Sequence, residues 1–260
     1  MKRKEKIYNI SIAGCGKVAR LHATAIKNIP GARLAGVWSR TPGSAERFAE
    51  TFGTIAYTDI SQMVTKEKTD LVIVCTPHPF HREPAIEAAS AGASVLVEKP
   101  LASDLSDCDA IISSCKRNKV KLGVVSQRRW YAPVRRVRKA IEEGRIGRPL
   151  LGTVTMLGWR DKAYYDSDEW RGKWDTEGGG VLVNQSPHQL DILLWFMGDV
   201  DELYGIWRNL NHPYIEVDDT AIAIVKFKSG AIGNILVSNS QKPGLYGKVH
   251  VHGENGASVG

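Results

Sequence analysis

The chain has 260 residues, 43% of them apolar and 24% charged, a balance typical of a globular protein with one large or two modest domains. Its formal net charge is +7, but the basic residues are scattered. The densest basic runs, at 1–6 and 128–139, are interpreted as solvated surfaces rather than a nucleic-acid site. The sequence shows neither a membrane-spanning segment nor a signal-peptide pattern, so we expect a cytoplasmic protein.

The first half of the chain alternates strand-like and helix-like segments joined by short links, which predicts a parallel sheet with helices on both faces. The strand-like segments are 7–13, 33–39, 70–77, 94–100 and 120–127, and the helix-like segments are 17–29, 43–53, 83–92 and 105–119. The apolar face of the first helix is predicted to carry Val18, Leu21, Ala25, Ile26 and Ile29.

The pattern changes after about residue 128 and predicts an α+β region with a mostly antiparallel sheet. Helices are predicted within 133–144 and 184–197, and strands within 150–157, 202–209, 220–240 and 248–253, with a hairpin turn at 228–231. We therefore divide the chain into domains 1–128 and 129–260. The closing letters GENGASVG resemble a turn entering another strand, so we expect the natural protein to continue beyond residue 260.

The four cysteines, Cys15, Cys75, Cys108 and Cys115, include no pair with CxxC spacing. We interpret them as reduced thiols and predict no metal site.

A glycine-rich turn, GCGKVA at 14–19, directly follows the first predicted strand and opens the first helix. Gly14 and Gly16 permit a tight turn and the close approach of a pyrophosphate to the helix N-terminus, where Lys17 and Val18 begin the helix. The turn predicts a dinucleotide site, and a glycine turn without ligand is the alternative.

The second strand ends in Ser39 and Arg40, with no acidic residue to hold the ribose of NAD. A small hydroxyl beside an arginine suits a 2′-phosphate, which favours NADP over NAD. The alternative is that Arg40 is an ordinary surface arginine.

Two further strands place polar residues at the carboxyl edge of the sheet, where dinucleotides bind. Thr76 and Pro77 end one strand, and His78 and His81 follow as candidates for cofactor or substrate contact, unless they cap the next helix or lie on the surface.

The other strand ends in Glu98, Lys99 and Pro100. A charged lysine at the end of a buried strand is unfavourable unless it has an interaction partner, has a functional role or extends to solvent. A cis bond before Pro100 would aim Lys99 into the cleft.

A polar stretch at 184–191 separates two apolar runs. In one interpretation Ser186 is the N-cap of a helix and Gln189 completes a capping box. In the other the helix starts earlier, which places Asn184 and His188 on one face. Either way His188 lies near a helix N-terminus, which favours a neutral ring able to accept a proton.

Residues 158–180 combine three tryptophans, two tyrosines and two arginines in a poorly periodic segment. Aromatic faces and polar donors together suit a sugar, so the candidate substrate-binding residues are Arg160, Tyr164, Trp170 and Trp174. The alternative is that the two tryptophans pack this segment onto the core.

Taken in order, GCGKVA, CTPHPFH, VEKPL, RRWYAP and GGGVLVNQSPHQLDILLWFMG resemble the Gfo/Idh/MocA oxidoreductase family from about residue 7 to the end of the chain. The resemblance implies an N-terminal Rossmann domain and a C-terminal α+β domain that binds substrate and whose large open sheet builds a homodimer or homotetramer. Family members usually exceed 300 residues, which supports the expected continuation of the chain.

The resemblance also implies roles for individual residues. The family's catalytic lysine corresponds to Lys99 and its catalytic histidine to His188, whereas the aspartate that many members carry four residues before the histidine is replaced by Asn184. The expected reaction is hydride transfer between NADP or NAD and a secondary alcohol of a sugar, sugar derivative or cyclitol. His188 is the expected base, Lys99 stabilises the alcohol oxygen, and Asn184 positions substrate or lysine without exchanging a proton.

Two alternatives use the same fold: a non-catalytic regulator that senses dinucleotides, and an oxidoreductase acting on a non-sugar such as a dihydrodiol or an imine. No nucleic-acid or membrane partner is expected.

Overall fold

The structure, a computed structural model, describes residues 6–259. The first five residues, which belong to the N-terminal basic run, and Gly260 lie outside the described residues. Contacts divide the chain into two compact units between Val125 and Ser126.

The N-terminal unit is built on a six-stranded parallel sheet in the order β3-β2-β1-β4-β5-β6. This doubly wound order confirms the predicted Rossmann fold. The strands are β1 (Tyr8–Ala13), β2 (Ala32–Trp38), β3 (Ile55–Tyr57), β4 (Leu71–Val74), β5 (Ser94–Val97) and β6 (Leu122–Val124).

Five helices cover the two faces of this sheet: α1 (Lys17–Lys27), α2 (Pro42–Phe52), α3 (Ile60–Glu67), α4 (Arg82–Ser90) and α5 (Leu105–Arg117). Consecutive residues of one strand belong to different hydrophobic cores, because successive side chains point to opposite faces of the sheet. Ile12 packs with residues of α1 and α2, and Ala13 packs with residues of α3, α4 and α5. A short 3-10 turn, His78–Phe80, precedes α4.

The buried face of α1 differs from the predicted one. Ala19, Ala23 and Ile26 are buried, whereas Val18 and Leu21 are 41% and 70% exposed. Small alanines allow the helix to approach the sheet closely, so its buried face follows the alanines rather than the larger side chains.

β3 and α3, which lie between the second predicted helix and the next predicted strand, were not predicted from the sequence. β3 has three residues, too few for a periodicity to register. The start of α3 did carry a signal, because the Asp59 carboxylate accepts a hydrogen bond from the backbone N–H of Gln62 at 2.6 Å, as an N-cap does.

The C-terminal unit contains a second six-stranded sheet in the order β12-β11-β7-β10-β9-β8. Within this second sheet, β7 and β10 are the only described pair of strands that run parallel, which confirms the predicted mostly antiparallel sheet. Its strands are β7 (Pro149–Trp159), β8 (Val200–Arg208), β9 (Thr220–Phe227), β10 (Ile232–Ser238), β11 (Ser240–Gly253) and β12 (Gly256–Val259).

The helices of this unit are α6 (Ala132–Glu142), α7 (Lys162–Asp166), α8 (Trp174–Glu177) and α9 (Pro187–Met197), with a 3-10 turn at Gln127–Trp130 and a π-helical turn at Val181–Gln185. Leu193 and Met197 of α9 lie so close to β7 that a Cβ on Gly152 would come within 2.8 Å of both side chains. Within residues 6–259, no helix is long and apolar enough to cross a membrane.

Candidate functional site

The glycine-rich turn has the geometry of a dinucleotide cradle. Gly14 has a φ of +110°, and a Cβ there would lie 2.8 Å from the backbone carbonyl of Cys75, so only glycine fits. A Cβ on Gly16 would meet nothing within 4 Å, and Gly16 precedes Lys17 and Val18 at the start of α1 without a side-chain cap. The helix N-terminus is thus open to an anion, and these residues fit the pyrophosphate of a dinucleotide.

The loop after β2 presents the two residues that favour NADP in the sequence. The hydroxyl of Ser39 accepts a hydrogen bond from the backbone N–H of Thr41 at 3.2 Å. The guanidinium of Arg40 lies 4.0 Å from the ring centroid of Phe80, which belongs to the loop after β4. The structure therefore gathers the loops after β2 and β4 at one edge of the sheet.

The segment after β4 is stabilised by hydrogen bonds to its own backbone and to the segment after β5. The Thr76 hydroxyl donates to the Phe80 carbonyl at 2.8 Å, and Pro77 precedes the 3-10 turn. The His81 ring is 1% exposed, with Nε2 lying 2.8 Å from the Thr76 carbonyl oxygen and Nδ1 lying 3.0 Å from the Pro100 carbonyl oxygen. Burial lowers the pKa of His81 and outweighs these hydrogen bonds. His81 thus braces two strand ends, and His78 is also buried.

Glu98 and Lys99 follow β5, and the bond between Lys99 and Pro100 is cis, as the sequence analysis considered. One oxygen of Glu98 lies 2.8 Å from Nε2 of His22, and the other accepts the Lys99 backbone N–H at 3.3 Å. Burial acts to raise the pKa of Glu98. The hydrogen bond to His22 and the charge on Lys99 oppose this effect more strongly, so the pKa of Glu98 lies below its usual value. His22 was missed in the sequence, although it lies in α1 shortly after the glycine turn.

The polar stretch before α9 does not follow the predicted capping box. Ser186 has α-helical angles, and its hydroxyl donates to the Leu182 carbonyl at 3.1 Å rather than capping α9. The chain is already helical at Val181–Gln185, which agrees with the earlier start of the helix. Ser186 stands at the predicted N-cap position of α9, but the predicted capping box was wrong, because the chain before it is already helical and the Ser186 side chain does not cap α9.

Asp218 fixes the start of this π-helical turn. Its carboxylate accepts the backbone N–H groups of Gly180 at 2.7 Å and Leu182 at 3.1 Å, and its carbonyl accepts that of Val181 at 2.9 Å. Because Asn184 follows in the same turn, Asp218 also determines where Asn184 lies. His188, four residues further on, is half-buried.

Asp191 lies one turn beyond His188 on α9. Both of its carboxylate oxygens pair with Arg129, at 2.5 and 2.8 Å. Asp191 is therefore an ion-pair partner for the short turn that precedes α6.

Several of the predicted and neighbouring polar residues meet in what we name the Tyr164 cluster, which comprises Arg160, Tyr164, Arg171, Glu177, Asn184 and Gln185. The Tyr164 hydroxyl oxygen accepts hydrogen bonds from Arg171 Nη1 at 2.6 Å and Gln185 Nε2 at 2.7 Å, and from Asn184 Nδ2 at 3.3 Å. Gln185 in turn accepts from Arg160 Nη2 at 2.8 Å. Two sequence-predicted substrate residues thus share one network with Asn184.

Glu177 is a member of this cluster that the sequence analysis missed. Its side chain is 1% exposed, accepts the Gly172 backbone N–H at 2.5 Å and contacts the Asn184 amide. Burial raises the pKa of Glu177, and the hydrogen bonds from Gly172 and Asn184 only partly oppose it. An acidic residue directly before three glycines and an apolar run was the available signal.

A second buried network holds the backbone of Arg160. His212 and Asp219 are both fully buried, with Nδ1 lying 2.7 Å from Oδ2, and Nε2 of His212 lies 2.7 Å from the Arg160 carbonyl oxygen. Burial acts to raise the pKa of Asp219. Hydrogen bonds from Ser240 and His212 oppose this effect more strongly and lower the pKa to about 2. No local pattern in the sequence indicated this network.

The two tryptophans have different surroundings. The Trp174 ring lies 5.2 Å from that of Trp207, and its Nε1 donates to the Glu216 carbonyl at 3.0 Å. Trp170 lies against the guanidinium of Arg171, which is 4.4 Å from its ring centroid. Trp170 therefore borders the Tyr164 cluster, whereas Trp174 packs toward β8.

The described residues, 6–259, contain no group of three or more His, Cys, Asp or Glu side chains that could hold a metal ion. The four cysteines are free thiols.

Comparisons with known proteins cover nearly the whole chain. Residues 8–126 match the family described as "Oxidoreductase family, NAD-binding Rossmann fold", and residues 134–259 match the GFO/IDH/MocA C-terminal domain.

Among solved structures, the chain is similar to the WlbA dehydrogenase from Bordetella pertussis in complex with NADH and UDP-GlcNAcA. The two are 33% identical with a TM-score of 0.91, over 98% of this chain and 78% of that one. The chain is also similar to the myo-inositol 2-dehydrogenase of Thermotoga maritima, with 29% identity over 95% of this chain and 73% of the relative. The scyllo-inositol 2-dehydrogenase (NAD(+)) of Bacillus subtilis is 28% identical over 95% of this chain and 72% of the relative.

Proposed function

Because the chain belongs to the Gfo/Idh/MocA oxidoreductase family, we propose that it transfers a hydride between a nicotinamide dinucleotide and a secondary alcohol of a sugar, sugar derivative or cyclitol. The observation that carries this proposal is the cradle at Gly14 and Gly16, where one glycine is in contact with the sheet and the other is open at a helix N-terminus. The substrates named for the inositol dehydrogenases and the compound bound to the WlbA dehydrogenase support the sugar and cyclitol class.

For the cofactor we propose NADP in preference to NAD. Ser39 and Arg40 follow β2 where an NAD-specific protein would carry a carboxylate, and the phenyl ring of Phe80 supports Arg40. Arg40→Ala should then lower kcat/KM for NADP roughly 10- to 100-fold while changing that for NAD little. The WlbA relative binds NADH, so a wild-type preference for NAD is the outcome that would refute this choice.

The proposed mechanism assigns proton and charge handling to Lys99 and His188. The bound nicotinamide supplies the hydride acceptor or donor. The Lys99 ammonium donates a hydrogen bond to the substrate oxygen and stabilises its developing negative charge. His188, the second residue of α9, accepts the hydroxyl proton. The Asn184 amide cannot exchange a proton, so its proposed role is to position substrate.

The remaining site assignments are also proposals. Cofactor contacts are assigned to the cradle with Lys17 and Val18 and to the loops after β2, β4 and β5 (Ser39, Arg40, Thr76, Pro77, Glu98 and Lys99). His81 was expected among these contacts, but its ring is buried against backbone carbonyls, so its proposed role is to support the loops. Substrate contacts are assigned to Arg160, Tyr164 and Trp170, with Trp174 at the margin.

The test is a nicotinamide reduction assay with a panel of aldoses, anhydrosugars, sugar acids, sugar phosphates, nucleotide sugars and inositols. Turnover of one sugar class should fall by roughly 100-fold or more in Lys99→Ala and in His188→Ala. Lys116→Ala, at an exposed lysine on α5, is the control expected to keep wild-type activity. Cofactor binding without turnover of any compound would favour a dinucleotide-sensing regulator.

We further propose that the exposed face of the second sheet forms a homodimer or homotetramer interface. Tyr204 pairs with Ile224 and Ile206 with Ile222 across β8 and β9, and all four side chains are more than half exposed. A contiguous exposed apolar face of this kind is typical of protein interfaces. Ile224→Lys should reduce the mass measured by light scattering to that of a monomer, whereas Leu105→Lys, in the other unit, should not.

A further inference from the structure

Arg160 carries a charge without a counter-ion. Its guanidinium donates to the Trp159 carbonyl and to the Gln185 side-chain oxygen, both at 2.8 Å, and lies 5.2 Å from the Tyr164 ring centroid. All of these partners are neutral, and none of the carboxylates within residues 6–259 forms an ion pair with it. Because the side chain is half-buried, its charge is less screened by water than that of a surface arginine.

The Tyr164 hydroxyl adds a donor in the same place. Its oxygen accepts short hydrogen bonds from Arg171 and Gln185, which occupy both lone pairs, and Asn184 Nδ2 is a longer contact at 3.3 Å. Nothing in the described part of the chain accepts its hydrogen. A half-buried phenol whose proton has no acceptor is available to donate to a ligand.

The carboxylates of the cluster and its margin are engaged by groups other than Arg160. Asp168 pairs with Arg171 at 3.0 Å, and Glu177 accepts from the Gly172 backbone N–H and contacts the Asn184 amide. Arg160, which donates to neutral groups, therefore keeps a positive charge that a ligand anion can pair with. The planar guanidinium can donate two parallel hydrogen bonds to a carboxylate, and its single charge equals that of this monoanion.

The Arg160 backbone is fixed before any ligand arrives. Its N–H donates to the Asn239 carbonyl at 3.0 Å, and its carbonyl oxygen lies 2.7 Å from Nε2 of the fully buried His212. Anchoring on both sides reduces the ordering cost of binding.

We propose that Arg160 and the Tyr164 hydroxyl bind a carboxylate of the substrate, so that the enzyme acts on a sugar acid in preference to the corresponding neutral sugar or cyclitol. This inference rests on the proposed dehydrogenase function and narrows its substrate class. The guanidinium and the phenol donate to the carboxylate, and Gln185, which contacts both, holds them in register.

The experiment compares sugars that differ only at C6: D-glucuronate, D-glucose and D-glucose 6-phosphate, together with UDP-glucuronate and UDP-glucose. Kinetics are measured for the wild type, Arg160→Gln, Arg160→Lys and Tyr164→Phe. Arg145→Gln, which removes an exposed arginine of the same unit, is the charge-matched control. Binding is measured in parallel as the shift in Tm that each sugar produces in the cofactor-saturated protein.

We expect the acid to exceed its neutral counterpart in kcat/KM, and Arg160→Gln to lower kcat/KM for the acid by a factor roughly 10 to 100 times larger than for the neutral sugar. Arg160→Lys should retain part of the acid preference, and Tyr164→Phe should lose part of it. Equal losses for acid and neutral sugar in Arg160→Gln, or a wild-type preference for the neutral sugar or the phosphate, would overturn the proposal.

Failure of the proposed function has a separate signature, namely no nicotinamide reduction with any sugar. A Tm shift with glucuronate but not glucose, abolished in Arg160→Gln, would still support the carboxylate site. The absence of any such shift together with no turnover would overturn it.

Discussion

The contact between Asn184 and Glu177 predicts the consequence of restoring the aspartate that many family members carry at position 184. The amide of Asn184 donates to the Glu177 carboxyl, which is 1% exposed. Asn184→Asp replaces the donor with a second carboxyl in contact with the first. Two unit charges about 4 Å apart repel by about 4 kcal/mol at an effective dielectric constant near 20. The pair should therefore retain one proton to a pH roughly three units above the usual range.

The sign of the effect on stability follows from proton binding. The folded pair keeps a proton that the unfolded chain releases near pH 4, so the free energy of unfolding falls as the pH rises from there. The loss is complete, at about 4 kcal/mol, only above the raised pKa of the pair.

The assay is urea unfolding and Tm at pH 5 and pH 8 for the wild type, Asn184→Asp, Glu177→Gln and the double variant. Asn184→Asp should lose markedly more stability than the wild type between these pH values. The double variant should regain it, because the amide introduced at position 177 can donate to the new carboxylate. If Asn184→Asp follows the wild-type pH dependence, or the double variant recovers nothing, the inferred coupling is wrong.

Two further predictions concern the buried supports of the site. Gly180→Ala would place its Cβ 1.8 Å from the Asp218 carbonyl oxygen, so we expect a loss of at least about 3 kcal/mol on urea unfolding, against less than about 1 kcal/mol for Gly158→Ala, whose Cβ has room. The pKa of Asp219, about 2 against a usual 3.8, makes the folded protein more stable above pH 4 by roughly 2 kcal/mol, a contribution lost as the pH falls from 4 to 2. Asp219→Asn should flatten the acid limb of the stability profile, and an unchanged limb would contradict the assignment.

The fold class and the glycine-rich cofactor cradle could be predicted from residues that are close together in the sequence. Strand and helix periodicities predicted a parallel sheet, and the glycine turn before α1 followed from the spacing of Gly14 and Gly16. Lys99 and Asn184 were predicted as site residues from motifs of a few letters. These features are local, because hydrogen bonding and chain geometry within one turn or strand determine them.

Predictions from local sequence patterns were wrong where side-chain packing in the folded protein distinguishes between residues of similar type. The buried face of α1 follows Ala19 and Ala23 rather than the larger side chains, because closeness to the sheet selects small residues. Ser186 has the residue type of an N-cap, yet the chain before it is already helical, so its hydroxyl bonds back to Leu182. Residue type alone does not distinguish these outcomes.

The tertiary structure decided which distant residues support the site. His22 and Glu98 are 76 positions apart, and His212 and Arg160 are 52 positions apart, so no spacing in the sequence relates them. The same holds for Asp218, which orders a turn 36 to 38 residues earlier. A buried polar group needs a partner wherever the fold brings one, and that partner is set by the folded chain rather than by sequence distance.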